Sequence, residues 1–162
     1  MFSREHTNLI QKLALQCLER GILLVTAESC TGGLLSSLLT QEAGSSKWFD
    51  RGFVTYSNNS KIDSLGVQRE TLENFGAVSQ EVANEMSKGA LKNSEANLGI
   101  SITGIAGPEG GSLAKPVGTI YFSIANQKKV ILEHKSDFKG SRETIRKESV
   151  LFVLNKLLNL TL

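Results

Sequence analysis

The sequence predicts an α/β fold, a three-layer α/β/α sandwich around one mixed, mostly parallel sheet, on three observations. Segments whose apolar residues recur at helical spacing alternate with short continuous apolar runs, the pattern of helices packed on a buried sheet. The last two runs are close enough to pair as a hairpin, which adds antiparallel pairing to strands otherwise linked by crossovers. The 162 residues, 40% hydrophobic and 21% charged with only two prolines, suffice for one well-packed domain over 1–162, and no repeat, linker or low-complexity tract divides them.

Taken in order, Ile10, Leu13, Ala14, Cys17 and Leu18 share one face of a helix that Gly21 ends. Leu23-Leu24-Val25 opens a strand leading into Thr26-Ala27-Glu28-Ser29, and beyond Gly32-Gly33 the residues Leu34, Leu35, Leu38 and Leu39 resume helical spacing up to Gly44. Phe53-Val54-Thr55-Tyr56 is dense in β-formers and reads as the second strand, followed by a short helix capped by Asn58 or Asn59 and carrying Lys61. Ser79 caps a helix through Lys92 with Val82, Ala83, Met86 and Ala90 on one face, and Leu98 to Thr103 is a further buried strand. Gly104 to Pro116, with four glycines and two prolines, is a long loop. Val117 to Ala125 and Lys129 to Phe138 then form the hairpin around Asn126-Gln127, and Ser141 opens the final helix.

Charge and composition exclude several function classes. Eighteen Lys+Arg against sixteen Asp+Glu leave a formal charge of +2, and no stretch is basic or aromatic enough to make nucleic acid the partner. Met1 to Leu9 carries Arg4 and Glu5 but no apolar leader core, and no window reaches the roughly 20 apolar residues that span a bilayer, so a cytoplasmic protein without membrane contact is expected. Cys17 and Cys30 are spaced neither as a metal pair nor as a redox pair and are expected as reduced thiols. His6 and His134, expected at the surface or a sheet edge, are too few for a Ser-His-Asp triad or a histidine metal site, so no metal is expected.

Ligands of open α/β sheets bind at the carboxyl ends of strands, which directs attention to three loops. Ala27-Glu28-Ser29-Cys30-Thr31-Gly32-Gly33 places hydroxyls and a thiol on a strand-to-helix turn, where helix N–H groups suit an anion or a developing oxyanion. Ser29 there follows the logic of a nucleophile elbow, though the same cluster also reads as a plain helix cap, and Cys30 is either a rival nucleophile or a small buried residue. Tyr56-Ser57-Asn58-Asn59-Ser60-Lys61 offers a phenol, amides and one amine; Lys61 is a base if desolvation lowers its pKa, and otherwise a surface lysine. Thr103-Gly104-Ile105-Ala106-Gly107 begins a glycine-dense loop suited to backbone contact with a ligand or simply to a crossover. It matches neither a Walker nor a dinucleotide fingerprint.

Thr26-Ala-Glu-Ser-Cys-Thr-Gly-Gly33, the Gly44 to Asn58 segment with Lys61, Gly76-Ala-Val-Ser79, and Gly104-Ile-Ala-Gly-Pro108 with Lys115-Pro-Val-Gly-Thr119 together resemble the CinA C-terminal domain family, from about Thr26 to Arg142. The resemblance implies that family's α/β/α fold, a homodimer or higher homo-oligomer, and, for its stand-alone members, hydrolysis of the carboxamide of nicotinamide mononucleotide to nicotinate mononucleotide and ammonia in pyridine-nucleotide recycling. It implies a Ser/Lys mechanism with no metal and no cofactor: Ser29 as nucleophile, Lys61 as general base and Tyr56 orienting or relaying the proton, with Ser45, Ser46 and Ser57 as alternatives to Ser29. Substrate binding falls, on the same basis, to Cys30, to an oxyanion hole of N–H groups around Thr31, Gly32 and Gly33, to Thr103, Gly104 and Gly107 at the nucleotide, and to Arg142 as phosphate ligand. Ser141 stands where an acidic residue is expected before that arginine. The family also contains silent paralogues, so a nucleotide-binding module without turnover is the alternative; the presence of Ser29, Tyr56 and Lys61 aligns the chain with the active group.

Overall fold

Apolar residues a helical turn apart at Ile10, Leu13 and Cys17 are all buried in the computed structural model, along one face of α1 (Arg4–Arg20). The described residues are 4–160; the ends of the expected 1–162 domain, residues 1–3 and 161–162, lie outside them. The chain continues through β1 (Leu24–Glu28), α2 (Leu34–Leu39), a 3₁₀ turn (Ser45–Lys47), β2 (Phe49–Val54), α3 (Asn58–Leu65), α4 (Arg69–Phe75), α5 (Gln80–Lys92), β3 (Leu98–Gly104), β4 (Thr119–Asn126), β5 (Val130–Asp137) and α6 (Arg142–Leu158).

The five strands lie in the order β2-β1-β3-β4-β5. Strand β1 is parallel to both β2 and β3, whereas β3 pairs antiparallel with β4 and β4 with β5, so only β4 runs against the other strands. The mixed sheet follows expectation, with the hairpin supplying its antiparallel half. Side-chain alternation then divides the core in two. Leu24, Ile100 and Phe122 pack with Ile10, Leu38 and Leu154 from α1, α2 and α6. On the opposite face Val25 and Ala27 pack with Leu65, Leu72, Val82 and Met86 from α3, α4 and α5. The inner strand β1 is therefore buried throughout.

Several boundaries differ from expectation for local reasons. Strand β2 starts at Phe49 and ends at Val54 rather than spanning 53–56: its Asp50-Arg51-Gly52 run lies on an exposed edge and lacks β-formers, yet after a register shift at Asp50 its Arg51 and Gly52 pair with Val25 and Thr26 of β1. A Cβ at Gly52 would crowd Thr26 Oγ1 at 2.9 Å, which fixes that glycine. Helix α2 stops at Leu39, short of Gly44, where Thr40 Oγ1 bonds back to the Ser36 carbonyl. The cap of α3 is Ser57 rather than Asn58 or Asn59, because Ser57 and Ser60 exchange reciprocal side-chain and backbone bonds at 3.1 Å. Helix α4 has no counterpart in the sequence reading. His6, expected at the surface or an edge, is buried, whereas His134 does sit half-buried on the edge strand β5, stacked on Phe152 with ring centroids 4.5 Å apart.

Helix α3 carries Lys61 and rests on α5 at a glycine: a Cβ at Gly89 would collide with the Leu65 carbonyl. Gly89→Ala is therefore expected to cost about 1–3 kcal/mol of unfolding free energy. Urea titration should register this as a lower midpoint at unchanged slope, and an unshifted midpoint would show that α3 yields without cost.

Candidate active site

Strand β1 ends in the sheet's buried middle, so the residue that follows it, Ser29, emerges at the carboxyl edge between β2 and β3. Its N–H donates to the Ile102 carbonyl of β3 at 2.9 Å, which ties the turn to the sheet. Strand β2 leaves the sheet one residue after Val54, with the Thr55 N–H still donating to the Glu28 carbonyl at 2.9 Å. The Ser57 cap then starts α3, and its first turn sends Lys61 back toward β1.

Lys61 is 1% exposed, the only lysine among the described buried residues. Its Nζ donates to the Thr55 carbonyl at 2.7 Å and to Ser29 Oγ at 3.0 Å. Burial penalises the ammonium and brings the Lys61 pKa down from 10.5 to about 8, against a small opposing influence of Cys30. Burial likewise pushes the Cys30 thiol up to about 12, which disfavours the thiolate that a nucleophile would need. Cys17 and Cys30 are both free and buried.

Ser29 and Lys61 open onto a cavity of about 280 Å³ that Cys30, Tyr56, Thr103, Gly104, Gly107 and Arg142 also line. The structure thus gathers eight of the eleven expected site residues around one space. Tyr56 is exposed, and its hydroxyl accepts from Arg142 Nη2 at 2.6 Å. The Tyr56 hydroxyl is thus engaged with the arginine, while Lys61 reaches Ser29 directly. Arg142 Nη1 donates to the Gly107 carbonyl at 2.8 Å, which fixes the guanidinium at the cavity mouth. Thr103 is buried, its hydroxyl donating to the Ala77 carbonyl at 2.8 Å. Gly104 packs against Thr119 and Ile120 of β4, and Gly107 against Val117, so these two glycines serve close chain packing as well as ligand access.

Thr31, Gly32 and Gly33 do not line the cavity. Thr31 is fully buried and its carbonyl accepts from Arg146 Nη2 at 2.6 Å, while the Gly32 N–H donates to the Ser29 carbonyl at 3.0 Å. The first N–H groups of α2 are also engaged: Leu34 donates to the Thr31 carbonyl at 3.2 Å, and Glu28 takes the next two. Its fully buried carboxylate accepts from Leu35 N–H at 3.1 Å, Ser36 N–H at 2.8 Å and Ser36 Oγ at 2.7 Å. A charged acceptor supplied by the chain itself satisfies the helix end that would otherwise suit an anion.

Sequence reasoning takes Asn58 for a cap candidate, gives Glu109 no role within its loop and leaves out Arg146; Asn58 and Glu109 both line the cavity and Arg146 lies behind it. With Ser57 as the cap, Asn58 is left to line the cavity, and the Ser57/Ser60 pairing is the signal for it. Glu109 and Arg146 carry no local pattern of their own. No group of three or more His, Cys, Asp or Glu side chains comes together among the described residues, and no described helix is long and apolar enough to cross a membrane.

Fold and site together define an α/β/α protein that presents a hydroxyl and a buried amine as a bonded pair at the carboxyl edge of its sheet. The chain belongs to the CinA C-terminal domain family, whose model matches residues 6–161. It is 49% identical over 139 residues to the nicotinamide-nucleotide amidohydrolase PncC of Enterobacter agglomerans, covering 86% of this chain and 85% of that protein. It is 48% identical over 138 residues to the protein of the same name from Escherichia coli K12, covering 85% and 84%. Among solved structures, competence/damage inducible protein CihA from Agrobacterium tumefaciens superposes with a TM-score of 0.94 at 43% identity, over 99% of each chain.

The depressed Lys61 pKa carries a sign for stability. Between about 8 and 10.5 the unfolded chain binds the proton that the folded one has released, so this group's contribution to stability rises with pH across that window and is lost as pH falls through about 8. Urea unfolding of the wild type and Lys61→Met across the same range is expected to show the wild type gaining on the variant as pH rises. Parallel pH profiles would mean that Lys61 titrates as an ordinary lysine.

Proposed function

We propose that the protein is a nicotinamide-nucleotide amidase that hydrolyses the carboxamide of nicotinamide mononucleotide to nicotinate mononucleotide and ammonia, with Ser29 as nucleophile and Lys61 as its base. The observation that carries the reading is the 3.0 Å bond between Ser29 Oγ and a lysine amine that burial holds near a pKa of about 8. The names of the two relatives at nearly half identity support the substrate.

The chemistry follows from the geometry. At pH 7 about a tenth of the Lys61 side chains are neutral, against well under a thousandth for an ordinary lysine. The Nζ lone pair then accepts the Ser29 proton while the Thr55 carbonyl holds one of its own hydrogens. Ser29 Oγ attacks the carboxamide carbon, and the carbonyl electron pair moves to oxygen. As the tetrahedral species collapses, the C–N bond breaks and Lys61 passes its proton to the departing nitrogen, which leaves as ammonia with the acyl group on Ser29. Water, deprotonated by Lys61, attacks that ester; the Oγ–C bond breaks, the proton returns to Ser29 and nicotinate mononucleotide leaves. The Cys30 N–H, in the residue that follows Ser29 and lines the same cavity, is the backbone donor this reading assigns to the developing oxyanion. Arg142, braced by Tyr56 and Gly107 at the mouth, binds the phosphate.

Ammonia release from nicotinamide mononucleotide by the purified protein tests this directly. Ser29→Ala and Lys61→Ala are each expected to lower kcat at least about 10³-fold with the fold intact, and wild-type kcat/KM is expected to climb with unit slope up to a pH of about 8. Nucleotide binding without turnover in the wild type would instead assign the chain to the silent branch. Arg142→Ala should raise KM about 10–100-fold with a smaller change in kcat, the loss of one charge-assisted contact; a loss confined to kcat would remove Arg142 from phosphate binding.

A further inference from the structure

Arg146 stands one turn beyond Arg142 on α6, outside the cavity lining, and no step above uses it. Its Nη2 reaches across 115 positions to the Thr31 carbonyl at 2.6 Å. Its Nε is buried and, among the described residues, has no hydrogen-bond partner. A half-buried guanidinium is thus aimed at the nucleophile turn, and its charge is one of the influences that oppose the rise of the Cys30 thiol pKa.

The covalent connectivity of the turn extends that contact. The Thr31 carbonyl and the Gly32 N–H are two ends of one peptide unit, and this N–H donates to the Ser29 carbonyl at 3.0 Å. The Ser29 carbonyl in turn shares its peptide unit with the Cys30 N–H. A continuous chain therefore runs from the Arg146 guanidinium through two peptide units to the N–H of the residue that follows the nucleophile. Hydrogen bonds in series polarise one another, by about 10–30% per bond in condensed phases, and a charged donor at the head is the strongest source of such polarisation.

We propose that Arg146 is a positioning residue that strengthens the Cys30 N–H as oxyanion donor by polarising the Thr31–Gly32 and Ser29–Cys30 peptide units in sequence. The proposal rests on the reading of Ser29 as nucleophile, because the N–H after a nucleophile on such a turn is where the oxyanion forms. It explains why an arginine is drawn out of water behind the site to bind a carbonyl that faces no substrate. Complete loss of an oxyanion donor costs about 10²–10³ in rate, so removing only its polarisation should cost about tenfold.

Two variants separate charge from anchoring. Arg146→Gln keeps a donor for the Thr31 carbonyl but no charge; Arg146→Lys keeps the charge. Arg146→Gln is expected to lower kcat about tenfold with KM within about twofold, and Arg146→Lys to keep kcat within about threefold of wild type. In ¹H–¹⁵N spectra recorded without substrate, the Cys30 amide proton should move upfield in Arg146→Gln. The Ser29 amide, bonded to Ile102 outside the chain, should stay in place, and in Arg146→Lys both should stay. An unmoved Cys30 amide in Arg146→Gln, equal losses in the two variants, or a change confined to KM would each overturn the relay and leave Arg146 a mechanical anchor. Should Arg146→Gln fail to fold, the likewise uncharged Arg146→Met carries the test: an upfield Cys30 amide supports the relay and an unmoved one overturns it. A wild type that binds the nucleotide without releasing ammonia would overturn the amidase reading alone, since the amide shifts report on the relay independently.

Discussion

The removal of the Lys61 amine from water is the constraint around which the rest is arranged. A lysine held at 1% exposure needs partners for its hydrogens, and the chain provides the Thr55 carbonyl and Ser29 Oγ. For both to be in reach, β2 must leave the sheet at Thr55, α3 must begin within three residues, and β1 must end at Glu28. The Ser57/Ser60 capping box meets the second requirement and the β1–β2 register, Glu28 opposite Val54, meets the first and third. The energetic penalty of burying the amine is also what lowers its pKa, so the site's electrostatics and its local instability have one origin.

Glu28 shows how the fold decides where negative charge is stabilised. A helix N-terminus is an obvious place for an anion, yet the chain fills this one with its own carboxylate, which takes two backbone N–H groups and a hydroxyl. Thr26 Oγ1 joins the network through Ser36 Oγ at 2.7 Å. This seats α2 on β1 and leaves Ser29 and Cys30 of the turn between them, rather than the helix end, at the cavity.

The alternation of elements, the hairpin and the caps at Ser79 and Ser141 were legible in the sequence because each rests on local patterning. So were Ser29 and Lys61, through the loops that carry them. What could not be read depends on partners far along the chain. Strand β2 is an edge strand whose exposed Asp50-Arg51-Gly52 hides its pairing, and Gly52 is explained only by Thr26 and Ser36 from other elements. The helix donors looked available because Glu28 reads as one more polar residue before a turn, and its capping role appears only when the chain has reversed. Arg146 is one cation in a charged final helix until its 115-position contact is seen.

Helix α6 resolves a difficulty that the sheet alone leaves. Strands β1 and β3 are neighbours in rigid register, which sets Ser29 against Ile102 and hence against Thr103, but the turns that leave them are glycine-bearing and intrinsically loose. Gly32 and Gly33 adopt φ values of 58° and 89°, a conformation that costs other residues energy and gives glycine freedom it must lose on folding. Arg142 and Arg146, four positions apart and so on one helix face, hold the two turns from above: one grips the Gly107 carbonyl and Tyr56, the other the Thr31 carbonyl. Because α6 is anchored in the core by Ile145, Val150, Val153 and Leu154, the ordering cost of both turns is offset by apolar burial remote from the chemistry. The sheet fixes the spacing between the two turns, and the arginines of one helix fix their orientation. A site assembled in this way can keep the small, backbone-exposing residues that let a substrate approach without surrendering the geometry on which attack depends.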